Sequence, residues 1–204
     1  MSRIVYAERI GSCRVLGPGN RAVIWVYGCQ RNCPGCIAES FRKGESRECS
    51  PEEMAQWILS QEAEGLTVSG GEPFLQAGPL AEALRLVREK RDMGVIVYTG
   101  FTLEELQAAS GEDPGIRDLL GLTDLLIDGP YVREKDDNRP YVGSSNQRLL
   151  LLTGRYAGEM DYYAAAEGRK VEIRLSERRT LLVGVPGREQ LEIWGRLYDG
   201  VESS

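Results

Sequence analysis

The chain has 204 residues, 42% hydrophobic and 27% charged, which suits one globular domain with its own core and excludes disorder, collagen and a disulfide-stapled miniprotein. With 25 basic against 31 acidic residues and a net charge of -6, nothing draws it to nucleic acid or anionic lipid, and neither is expected as a partner. Apolar runs such as Leu149 to Leu152 fall far short of the roughly 18 residues of a membrane span, and Met1-Ser2-Arg3 opens a charged, strand-like segment rather than a signal peptide, so a cytoplasmic protein is expected.

Short β-rich runs alternate with longer helical ones. Ala22 to Tyr27 is a continuous β-branched and aromatic run closed by Gly28, which reads as a buried strand followed by a polar, cysteine-bearing loop. Ser50-Pro51-Glu52-Glu53 combines a capping residue, proline at the first helical position and Glu three residues after the cap, and predicts a helix to about Ala63 with Met54, Trp57 and Ile58 on one face. Leu66 to Val68 is a short strand running into Ser69-Gly70-Gly71, and Pro79 to about Lys90 is an amphipathic helix. Val95 to Tyr98 is the next strand. Thr102-Leu103-Glu104-Glu105 is a second capping box, and Leu125 to Ile127 is a strand stopped by Asp128-Gly129-Pro130. Such alternation implies right-handed βαβ units, a parallel sheet and helices on its outer face. Ligands of these sheets bind beyond the carboxyl ends of the strands, so the loops after Tyr27, Val68, Tyr98 and Ile127 should converge on one site. After about Arg155 the rhythm breaks: Lys170 to Leu175 and Thr180 to Val185 suggest a hairpin around Ser176 to Arg179, and Arg188 to Tyr198 a last short helix.

Two counts narrow the chemistry. There is no histidine, which removes the usual general base near neutral pH and every Ser/His or Cys/His nucleophilic arrangement. Of five cysteines, Cys29, Cys33 and Cys36 lie on one loop as CxxxCxxC, a poor disulfide framework and a good metal site in a reducing compartment. Three thiolates can hold three corners of a cubane iron–sulfur cluster and leave the fourth iron open. The alternatives are structural zinc, which needs a fourth ligand from Cys13 or Cys49, and unligated thiols.

Further loops carry polar or flexible groups. Gly70 and Gly71 let backbone approach a small ligand while Glu72 offers a carboxylate to an ammonium, although Gly-Gly-Glu-Pro, ending at Pro73, also makes a plain turn. Asp128 before Gly-Pro can accept from a hydroxyl, position an arginine or simply form a turn. Ser144, Ser145, Asn146 and Gln147 crowd hydroxyls and amides beside Arg148, as a substrate clamp or as an exposed polar loop. Asp136, Asp137 and Arg133 to Lys135 read as a solvated surface run.

CxxxCxxC after one strand, followed by Ser69-Gly70-Gly71-Glu72-Pro73 after the next, resembles the radical S-adenosylmethionine superfamily. Within it, the CPGC form of the cluster loop, Tyr98-Thr99-Gly100, Ile127 to Pro130 and Gly143 to Arg148 resemble the activating proteins of anaerobic ribonucleotide reductase and related glycyl-radical activases. The resemblance covers about residues 8–152. It implies an open partial (βα) barrel for the core, residues 1–155, while the tail, 156–204, lies outside the resemblance and is read from its own β-rich runs as a C-terminal β-hairpin appendage with a short helix, part of the same domain. It also implies a [4Fe–4S] cluster on Cys29, Cys33 and Cys36, and S-adenosylmethionine bound by Gly70, Gly71, Glu72, Pro73, Thr99, Gly100 and Asp128. Residues Ser144 to Arg148 would face the substrate. In the implied chemistry, an external donor such as flavodoxin or ferredoxin supplies an electron, the cofactor is cleaved to a 5′-deoxyadenosyl radical, and hydrogen is taken from a glycine of a partner glycyl-radical enzyme. Other readings are a radical enzyme acting on a peptide or small metabolite, and a non-catalytic zinc or iron–sulfur binding module. One departure from the family pattern is that Gly35 and Ile37 flank the third cysteine where an aromatic residue is usual.

Overall fold

The computed structural model describes residues 2–159, 168–175 and 180–199. In chain order the elements are β1 (Ile4–Ile10), β2 (Arg21–Val26), α1 (Ser40–Lys43), β3 (Arg47–Cys49), α2 (Pro51–Leu59), β4 (Gly65–Gly70), α3 (Ala77–Arg88), β5 (Gly94–Tyr98), α4 (Leu103–Ala109), α5 (Pro114–Leu122), β6 (Leu125–Asp128), β7 (Arg148–Leu151), β8 (Val171–Leu175), β9 (Thr180–Gly184) and α6 (Arg188–Asp199). The expected hairpin is β8 paired antiparallel with β9; its Ser176 to Arg179 connection lies outside the described residues. No helix among the described residues is long and apolar enough to cross a membrane.

Seven strands form one sheet in the order β3-β1-β2-β4-β5-β6-β7. The central run β2-β4-β5-β6 is parallel, as the βα alternation demands. The expectation of a parallel sheet needs correcting at both edges, where β1, β3 and β7 pair antiparallel. The strand β7 takes up the Leu149 to Leu152 run and puts Arg148 opposite Asp128 in the ladder, so Arg148 belongs to a strand and not to a loose loop. Helix α5 joins α4 to β6 and has no counterpart in the expected elements. Its start follows ordinary capping rules, since Pro114 stands at the first position and Asp113 accepts from Gly115 N–H at 2.8 Å.

Both sequence-visible capping boxes form: Ser50 with Glu53, and Thr102 with Glu105, each cap adding about 1 kcal/mol. Helix α2 nevertheless stops at Leu59, short of Ala63. The Arg91 guanidinium takes the carbonyls of Leu59 and Gln61, and Glu64 N–H bonds to Asn20 C=O, which turns the chain into β4.

Strand β2 is buried along its whole length because its faces serve two cores. Ala22, Ile24 and Val26 pack under the helices with Leu66, Val68, Leu80 and Leu84. Val23 and Trp25 face Cys13, Leu16 and Val183, the last from β9, so the hairpin covers part of the sheet's second face. The amino ends of the parallel strands are locked by Arg21, which is 1% exposed. Its donors go to the Thr67 hydroxyl, the Tyr156 hydroxyl and the carbonyls of Pro18, Leu66 and Gly94, which satisfies a buried cation without a carboxylate. That edge is closed, and the carboxyl edge is where the site lies.

Candidate functional site

The register aligns Val26 with Gly70, Val68 with Val97 and Tyr98 with Ile127, so the parallel strands end together. Beyond them is a cavity of about 540 Å³ lined by all three loop cysteines, by Gly70, Gly71 and Glu72, and by Thr99, Gly100 and Gln147. The four loops singled out from the alternation therefore do converge.

The cluster loop is bent by two left-handed residues, Asn32 at φ 47° and Gly35 at φ 71°. Cys36 N–H bonds to Cys33 C=O, and Arg31 N–H to Cys29 Sγ at 3.4 Å. All three thiols are free. Burial pushes the Cys36 thiol up, a tendency opposed by the Ala38 backbone and Arg42 and reinforced by the neighbouring thiols; a bound cation reverses that balance by ligating the thiolate. Among the described residues no three His, Cys, Asp or Glu side chains converge on one ion position. Cys13 and Cys49 are buried in separate apolar cores away from the cavity lining, so neither supplies a fourth thiolate to a zinc site built on the three loop cysteines. Three half-buried thiols on one bent loop, all lining the cavity, fit a cubane cluster with an open iron.

The loop after β4 is stitched to the cluster loop by backbone: Gly71 N–H bonds to Val26 C=O and Glu72 N–H to Gly28 C=O. A Cβ on Gly71 would lie 2.0 Å from Gly28 O, so this glycine is required by the chain's own close approach. Pro73 and Phe74 are buried at the start of a short 3₁₀ turn, where Pro73 shapes the loop without lining the cavity. The Gln76 side chain then bridges Val5 and Tyr27, fixing this turn to β1 and the end of β2.

Glu72 is 1% exposed and lines the cavity. Its carboxylate accepts from Phe74 N–H at 3.0 Å, the Thr99 hydroxyl at 2.8 Å and Gly100 N–H at 2.8 Å. It thus buckles the β4 loop to the β5 loop and keeps about one acceptor position for a ligand. Burial pushes this carboxyl up; the three donors and Arg31 pull it back without cancelling the rise.

Asp128 is fully buried and does not line the cavity. Of its three sequence readings, the arginine-positioning one matches the geometry, because Arg148 Nε and Nη2 and Leu103 N–H bond to it. Arg148 is held on its other side by Glu104. Ser144 is buried and accepts from Val132 N–H, Ser145 N–H bonds to Lys135 C=O, and Asn146 donates to Pro130 C=O. Gln147 donates to Gly129 C=O and accepts from Gly143 N–H. The segment is therefore knit to the loop after β6, and within it only Gln147 reaches the cavity.

Sequence reasoning passed over several lining groups. Arg31 lies over the Phe101 ring at 4.4 Å and pairs with Glu105 at 2.5 Å; its place inside CxxxCxxC was the available signal. Tyr131, Leu191 and Trp194 also line the cavity, brought there by contacts that no local pattern encodes. Asp136 is not solvated as expected: its side chain is 6% exposed and pairs with Arg169 at 2.8 Å.

Comparison with known proteins agrees with this geometry. Residues 15–150 match the family described as a 4Fe-4S single cluster domain. The anaerobic ribonucleoside-triphosphate reductase-activating protein of Escherichia coli strain K12 is 32% identical over 144 residues, covering 65% of this chain and 89% of the relative. That of Vibrio cholerae is 33% identical over 150 residues, 68% of this chain and 92% of the relative. The pyruvate formate-lyase-activating enzyme of Clostridium pasteurianum is 32% identical over 97 residues, 44% of this chain and 40% of the relative. With the thiol loop, the Gly-Gly-Glu-Pro loop and the shared cavity, these matches make the chain a member of the radical S-adenosylmethionine activases, an enzyme whose cofactors are a [4Fe–4S] cluster and S-adenosylmethionine.

Proposed function

We propose that this enzyme takes a hydrogen atom from a glycine Cα of a partner glycyl-radical enzyme of the anaerobic ribonucleotide reductase type, using an electron from a donor such as flavodoxin or ferredoxin. The observation that carries the reading is the opening of the three thiols, Gly71, Glu72 and Gly100 onto one cavity at the carboxyl edge. When bound, the cluster and S-adenosylmethionine supply one-electron cleavage to methionine and a 5′-deoxyadenosyl radical, which becomes 5′-deoxyadenosine on taking hydrogen.

The chain's own residues do the holding. Cys29, Cys33 and Cys36 ligate three irons. Gly70 and Gly71 let backbone polar groups reach the methionine part of the cofactor, and Glu72 complements its ammonium. Thr99 and Gly100 meet the ribose. Asp128 acts at one remove by fixing Arg148 and the start of α4, and Gln147, its amide bonded to Gly129 and Gly143, shapes the cavity wall that the substrate meets. Buried Trp25 and the β9 residues keep bulk water from the sheet side of the cavity. The same arrangement supports reading the sheet as an open partial barrel. Val183 of β9, fully buried against Trp25 and Cys13, supports treating the C-terminal segment as part of the one domain. Five cysteines without a disulfide support a reducing, cytoplasmic setting.

The test is anaerobic reconstitution with iron, sulfide, S-adenosylmethionine and a chemical reductant, with the anaerobic reductase of the same organism present. Formation of 5′-deoxyadenosine together with a glycyl-radical signal on the reductase is expected. Cofactor cleavage with no radical on the reductase would overturn the partner assignment.

A further inference from the structure

We propose that β9 and α6, with β8 as the hairpin partner of β9, form the substrate-side wall of the site, and that this wall grips an apolar stretch of the partner chain flanking the reacting glycine. The proposal rests on the activase reading above. The family match ends at residue 150, before this segment begins, yet Leu181, Val185, Leu191 and Trp194 share one cavity with the three cysteines. The described residues that the segment contributes to the lining carry no ionisable side chain. Among the described residues, the part of the wall that lines the cavity offers a phosphorylated or carboxylated metabolite no countercharge, whereas the apolar side chains of an extended peptide find area to bury. On α6, Leu191 lines the cavity and is 37% exposed, so the wall reaches from the cavity to open surface, where a protein rather than an enclosed small molecule can lie.

The wall is held in place by a buried latch. Arg169, its side chain 1% exposed, pairs with Asp136 and donates to the carbonyls of Arg139, Gly143 and Pro186. Asp136 also accepts from the hydroxyl of Tyr131, itself a lining residue, at 3.3 Å. Arg188 at the start of α6 donates to Arg133 C=O. The tail is thereby fastened to the loop between β6 and β7.

The experiment compares Leu191→Asp, Trp194→Ala and Ile193→Asp, all on α6, Ile193 lying outside the cavity lining. Each variant is reconstituted, its iron content checked, and the glycyl radical formed on the anaerobic reductase is divided by the 5′-deoxyadenosine released. Leu191→Asp and Trp194→Ala are expected to lower this ratio at least about tenfold, the scale of an interface anchor, and to raise the KM for reductase, while Ile193→Asp keeps the wild-type ratio. Wild-type ratios in both lining variants would overturn the wall while leaving the activase reading in place. Wild-type enzyme that releases 5′-deoxyadenosine without any radical on the reductase would overturn the activase reading and the proposed occupant with it.

Discussion

Arg148 donates two hydrogen bonds to Asp128, from Nε at 2.9 Å and from Nη2 at 2.5 Å, across the β6–β7 ladder. The carboxylate is fully buried and has one other donor, Leu103 N–H at 2.7 Å. This pair fastens the last sheet strand to the first turn of α4, next to the Thr99-Gly100 strand end. Asp128→Ala strands the Leu103 N–H and releases Arg148, and a loss of about 2 kcal/mol in urea unfolding is expected. A variant as stable as wild type would show that the pair is incidental.

The second partner of Arg148 is Glu104, whose carboxyl is pulled down to about 2 by the hydrogen bonds from Arg148, with the helix amide at its own position adding to the effect. A folded value below the ordinary 4.5 means that its stabilising share is present above about pH 4.5 and is lost as pH falls toward 2. The side chain is exposed, so the share is small. Carboxyl-carbon NMR should place the Glu104 midpoint near 2 in the wild type and return it toward the usual glutamate range in Arg148→Ala. An unchanged midpoint in the variant would assign the depression to the helix terminus alone.

Gly71 is predicted to reject even a methyl group. Its Cβ would meet Gly28 O at 2.0 Å and Gly28 C at 2.7 Å, both backbone atoms, so the cluster loop itself must shift. Gly71→Ala should cost about 2 kcal/mol and reduce both iron content and S-adenosylmethionine affinity, because one backbone crossing supports both loops. Gly78→Ala is the control: a Cβ there meets nothing within 4 Å, and the helical position favours alanine by up to about 1 kcal/mol. Retained iron with lost affinity in Gly71→Ala would mean that the two loops move independently.

Replacing Cys29, Cys33 or Cys36 by Ala should abolish the cluster. Cys13→Ala and Cys49→Ala should keep about four irons per chain at a stability cost of about 1 kcal/mol each, since both thiols are packed in apolar cores where burial pushes them up. Iron and sulfide analysis of the five variants decides the matter. Loss of metal in Cys13→Ala or Cys49→Ala, with an unaltered fold, would revive a four-thiolate site.

The parts of the molecule legible in the sequence are those governed by short-range physics. The parallel strands show as β-branched runs, the starts of α2 and α4 as capping boxes, and the thiol loop as three cysteines within eight positions. Convergence of the loops followed from topology, because parallel strands joined by helices must end at one edge. What the sequence hid depends on distant partners. Asp136 looks solvated until Arg169 arrives from the tail, Arg148 looks like a free clamp until β7 sets it against Asp128, and Trp194 shows no sign of lining the cavity. The antiparallel edges were obscured for a related reason, since Leu149 to Leu152 is too short and uniform to reveal its direction or its neighbour.

Glu72 offers the sharpest test of the cofactor loop. Its carboxyl is raised by burial against the pull of Phe74, Gly100, Thr99 and Arg31. A raised folded value means the folded state holds the proton more firmly than the unfolded chain, so the residue favours the fold most at low pH and loses that share as pH rises through the folded value. Glu72→Gln removes this titration, and in urea unfolding the wild type should lose stability relative to the variant as pH rises above the ordinary carboxyl value of 4.5. The amide also sets an NH₂ group against either Gly100 N–H or the Phe74 N–H and Thr99 hydroxyl pair, and it removes the negative charge opposite an ammonium. Equilibrium titration with S-adenosylmethionine should therefore show affinity weakened about tenfold, roughly 1.4 kcal/mol, with iron content retained. Parallel stability profiles would show that Glu72 is ionised at no cost in the fold, and unchanged affinity would reduce it to the buckle between two loops.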